Sequence, residues 1–97
     1  MKAGIFFTGS GPILILTSYE SLTDSHLAEK LATKGIKRFV AFEVPLDAAK
    51  QKYGHHYNVI TGDLHQEDDL RILDYDGHHV LDLFRLGQLG TPIYFEP

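Results

Sequence analysis

The residues of this sequence best suited to chemistry are histidines and carboxylates in its second half. The 97-residue chain has six histidines, five of them between positions 55 and 79. Imidazole and carboxylate groups are common ligands of zinc and iron. The candidate ligands for such an ion are His55, His56, Asp63, His65 and His79, and Asp74 and His78 lie close to them in sequence.

The spacing of these histidines is not that of a metal-binding motif. No His-x-x-x-His pair occurs, and the chain has no cysteine for a Cys-based zinc site. Asp63 and His65 would share one face of an extended segment, but histidines in loops are usually solvated. We therefore expect solvated or hydrogen-bonded histidines and no cofactor. A zinc or iron site, in a metal-binding protein or a metal-dependent enzyme, is the alternative.

A second candidate site lies where a predicted strand leads into a helix. Ser18, Ser21 and Thr23 lie at this junction, and Glu43 lies near the end of the next predicted strand. Open α/β sheets bind ligands at the carboxyl edge of their strands, and helix amino termini accept anions. A small molecule or anion bound here is therefore a further alternative. The simpler interpretation is that Ser21 and Thr23 cap the helix and Glu43 is a surface carboxylate.

Two other motifs do not support a specific chemistry. The run Gly9-Ser10-Gly11 does not continue to Gly-Lys-Ser/Thr as a phosphate-binding loop would, so we expect a hairpin connection. The acidic run at 66–69 lacks the ligand spacing and the central glycine of an EF-hand loop. It is better explained as a solvated loop.

Composition restricts the class of protein. The net charge of −4 argues against nucleic-acid binding, which requires basic side chains to replace phosphate counterions. No run is long and apolar enough to span a membrane, and the amino terminus lacks a signal-peptide core. With 43% hydrophobic residues, we expect a single globular domain over residues 1–97, soluble and cytoplasmic.

Hydrophobic periodicity and turn residues predict an α+β domain with a mixed sheet of five to six strands. The expected order is β-β-α-β-α-β-β-β, with one main helix ending near Lys34 and one short helix. The predicted strands cover 3–8, 13–18, 38–44, 57–61 and the two halves of a hairpin over 70–84, and 93–95 adds a possible edge segment. A strand, a helix and a strand in succession predict that 13–18 and 38–44 run parallel.

The hairpin is predicted from Asp76-Gly77, which separates two apolar runs. In this register Arg71 faces Asp82, and Leu73 faces Val80. One side of the ribbon then carries apolar residues that, with a neighbouring tyrosine, are our candidate interface: Leu70, Ile72, Tyr75, Leu81 and Leu83.

This arrangement leads to a hypothesis about function. Two short helices can cover only one face of such a sheet, so the other face would meet a second copy of the chain. Because no set of residues suited to catalysis stands out, we expect an acidic binding or regulatory domain rather than an enzyme. It would act through protein–protein contacts as a homodimer and could also meet a basic protein partner.

Overall fold

The fold belongs to the α+β class, as predicted, but the number and the order of the described elements differ from the prediction. The computed structural model describes residues 1–53, 64, 69–74, 78–85 and 93–95. Its elements are β1 (Lys2–Thr8), β2 (Gly11–Thr17), α1 (Ser25–Thr33), β3 (Phe39–Val44), α2 (Leu46–Tyr53), β4 (Leu70–Asp74), α3 (His78–Arg85) and β5 (Ile93–Phe95). The strand predicted over 57–61 lies outside the described residues.

The five described strands form one sheet in the order β4-β2-β1-β3-β5. Every pairing among them is antiparallel, so the mixed sheet predicted from the sequence is wrong for this part of the chain. Strands β2 and β3 do run in the same direction, but β1 lies between them and pairs with both. The β1–β2 hairpin comes first along the chain, and β3 pairs with the other side of β1.

Local signals in the sequence set the turns around this sheet. Thr8 and Gly11 are paired across the β1–β2 connection, which confirms the predicted hairpin. The Thr8 hydroxyl accepts a hydrogen bond from the Ser10 amide at 3.1 Å and donates one to the Gly11 carbonyl at 3.0 Å. Gly11 has a φ of 109°, a conformation that glycine adopts without steric cost.

Helix α1 begins and ends at residues that the sequence identifies. The Asp24 side chain accepts a hydrogen bond from the His26 amide at 2.8 Å and so caps the helix. At the other end Gly35 has a φ of 86°. The Ile36 amide donates to the Leu31 carbonyl, and the Gly35 amide donates to the Ala32 carbonyl. These two bonds form a Schellman motif, at the helix end predicted near Lys34.

Both faces of the sheet are covered within one chain. Alternating residues of the strands point to opposite faces, and each face packs against helices. The α1 side holds a buried cluster of Phe6, Ile13, Ile15, Leu22, Leu27, Leu31, Ile36, Phe39, Ala41 and Leu70. The opposite side holds Ala3, Ile5, Leu14, Leu16, Val44, Ala49, Leu73, Val80 and Leu83, contributed in part by α2 and α3. The prediction that helices would cover only one face is therefore wrong.

The extra cover comes from α3, in the segment predicted as the second strand of a hairpin. Residues 78–85 are helical, and β4 pairs with β2 instead. Val80 and Leu83 are buried, whereas Leu81 and Asp82 are exposed. Residues three apart share a face of a helix but lie on opposite faces of a strand. The predicted pairing of Arg71 with Asp82 in a ribbon is therefore wrong, and the turn at 75–77 lies outside the described residues.

Candidate functional site

The predicted strand-to-helix site lies at the end of the sheet where β2 and β3 finish. Ser18 directly follows β2, and Glu43 is the last but one residue of β3. Both lie at the same end of the sheet, separated by the start of β1. There Lys2 Nζ lies 2.5 Å from Glu43 Oε1. The lysine thus neutralises the only carboxylate proposed for this site.

The other residues of this site are engaged in local contacts. The hydroxyls of Ser21 and Thr23 lie 2.6 Å apart, and the Thr23 amide donates to Ser21 Oγ. Between them Leu22 is buried and covers Gly4 of β1 so closely that a Cβ at Gly4 would lie 2.9 Å from Leu22 Cδ1. A buried leucine therefore occupies the space above the strand. Asp24, rather than Ser21 or Thr23, caps α1.

The described polar contacts concentrate instead on Asp69, the residue before β4. Its carbonyl accepts hydrogen bonds from Thr17 Oγ1 at 2.8 Å, from the Ser18 amide at 2.9 Å and from Ser18 Oγ at 3.4 Å. Its carboxylate forms an ion pair with Lys30 of α1. Asp69 therefore fastens the beginning of β4 both to β2 and to the helix above it.

The surroundings of Asp69 and Tyr19 shift the pKa values of both side chains. The hydrogen bond from Lys30 lowers the pKa of the Asp69 carboxyl. Burial raises the pKa of Tyr19, and a hydrogen bond to Asp69 raises it further. At neutral pH the group therefore consists of a carboxylate, an ammonium and a neutral phenol. Sequence reasoning missed it, because no local pattern relates residues 30 and 69.

The candidate metal ligands fall almost entirely outside the described structure. His55, His56, Asp63 and His65 lie outside the described residues, and His79 is in α3. Within residues 1–53, 69–74 and 78–85, no group of three or more metal-ligating side chains occurs. Zinc or iron binding by the predicted set stays a prediction.

The candidate interface residues are divided between the two faces of the sheet. Leu70 is buried on the α1 side, where Ile72 also packs, whereas Leu83 is buried on the opposite side. Leu81 is 37% exposed, and Tyr75 lies outside the described residues. These residues therefore do not form the single apolar face that the hairpin predicted.

Strand β4 presents a different kind of surface, because it is the last strand at its side of the described sheet. The bond from the Ser18 amide to the Asp69 carbonyl fixes the alternation of hydrogen-bonded pairs between β2 and β4. Arg71, two residues later, therefore points its backbone groups towards β2. The backbone N–H and C=O groups of Leu70 and Ile72 point away from the sheet. A shift of register between β2 and β4 follows Ile72, so the regular part of this edge is short.

Comparison with known proteins found no matching family model, curated protein or solved structure. Among the described residues, no helix is long and apolar enough to cross a membrane.

Proposed function

We propose that this protein is a small acidic binding module that acts through protein–protein contacts, and that it pairs with a second copy of itself through the edge strand β4. The observation that carries the proposal is the row of outward-pointing backbone groups at Leu70 and Ile72. Such groups at a sheet edge form hydrogen bonds readily with another strand.

The location of the cores supports an edge contact over a face contact. In the described residues, α1 covers one face of the sheet, and α2 and α3 cover the other. A partner at β4 would leave both cores undisturbed. An edge strand also offers the same groups on each copy, as a two-fold contact requires.

The charge of the chain favours a further partner of opposite sign. A net charge of −4 repels acidic surfaces and nucleic acids and attracts basic proteins. We therefore propose a basic protein as the target of the module.

Native mass spectrometry of three forms tests the self-association. The variant Ile72→Pro removes one outward N–H and leaves the hydrogen bonds with β2 in place, since proline is accepted on edge strands. Ile72→Ala is the matched control, because it loses the same side-chain contacts on the α1 side but keeps the N–H. We expect a dimer mass for the wild type and for Ile72→Ala, and a monomer mass for Ile72→Pro.

Two outcomes would contradict the proposal. If the wild-type protein stays monomeric at tens of micromolar, the proposed self-association is wrong. A wild-type mass that includes stoichiometric zinc or iron would favour the metal-binding alternative, and alanine substitutions at His55, His56, Asp63, His65 and His79 would then follow.

A further inference from the structure

We draw no further inference here: the strongest candidate, the side-chain cluster of Tyr19, Lys30 and Asp69 between the start of β4 and helix α1, belongs to the site already described, where its ion pair and hydrogen bonds are accounted for by the fastening of β4.

Discussion

Replacing the two leucines of α3 separately tests the central difference between the predicted hairpin and the observed helix. Leu83 is 2% exposed and Leu81 is 37% exposed. Truncating a fully buried leucine to alanine costs about 2 to 5 kcal/mol, through lost burial and the cavity left behind. Surface substitutions usually change stability by less than about 0.5 kcal/mol. For the partly exposed Leu81 we expect a loss of at most about 1 kcal/mol.

Urea denaturation at low protein concentration measures both free energies of unfolding. In a domain of this size, about 1 kcal/mol corresponds to a melting-temperature change of about 4 to 8 °C. Leu83→Ala should therefore lower the melting temperature by at least about 8 °C, and Leu81→Ala by much less. In the predicted hairpin both leucines would share one face. Equal losses of unfolding free energy in the two variants would therefore refute the assignment of 78–85 to a helix.

Two further predictions concern the α1 side of the sheet. Gly4→Ala places a Cβ 2.8 Å from Phe6 Cε1 and 2.9 Å from Leu22 Cδ1, so it should cost about 1 to 3 kcal/mol in urea denaturation, as overpacking does. Gly9→Ala, where a Cβ meets nothing within 4 Å, is the control; equal effects of the two changes would contradict the packing of Leu22. Asp69→Asn should make the melting temperature less dependent on pH at acidic pH.

The sign of the acid effect follows from the lowered pKa of Asp69 in the folded protein. An unfolded aspartate has a pKa of about 3.9. The stabilisation from the Lys30 contact is complete above that value, and it is lost as the pH falls through the lower, folded pKa. As the pH is lowered from about 5 to about 2, the melting temperature should therefore fall more steeply for the wild type than for Asp69→Asn. Parallel profiles would show that the ion pair does not contribute.

Local sequence signals were sufficient for the elements whose ends are set by neighbouring residues. Asp24 and Gly35 define the bounds of α1 because capping needs only a few adjacent residues. The β1–β2 hairpin is local in the same way. The class of the fold followed from these elements, since strands and helices were mostly assigned correctly along the first 53 residues.

The segment after β4 was misassigned because its apolar pattern satisfies two periods. Val80 and Leu83 have helical spacing, whereas Leu81 and Leu83 alternate as in a strand. The Asp-Gly pair favoured a hairpin, but the space available on the second face of the sheet favours a helix. That choice depends on β2, more than sixty residues earlier, and no local pattern reports it.

The candidate sites likewise combine local features, which the sequence predicts, with long-range contacts, which it does not. Ser21 and Thr23 were expected from the sequence to cap α1, and the structure assigns the cap to Asp24 instead. The contact of Lys30 with Asp69 joins residues 39 positions apart. It could not be predicted without the order of the strands, because β4 reaches α1 only by docking on β2.

Amide hydrogen exchange at Ile72, followed by NMR at several protein concentrations, tests the proposed contact most directly. The Ile72 N–H points away from β2, so in a free monomer it should exchange quickly. Pairing of β4 with a second copy predicts that its protection rises with protein concentration, while that of Gly9 in the β1–β2 turn does not change. Rapid exchange of the Ile72 amide at every concentration would contradict self-association through β4.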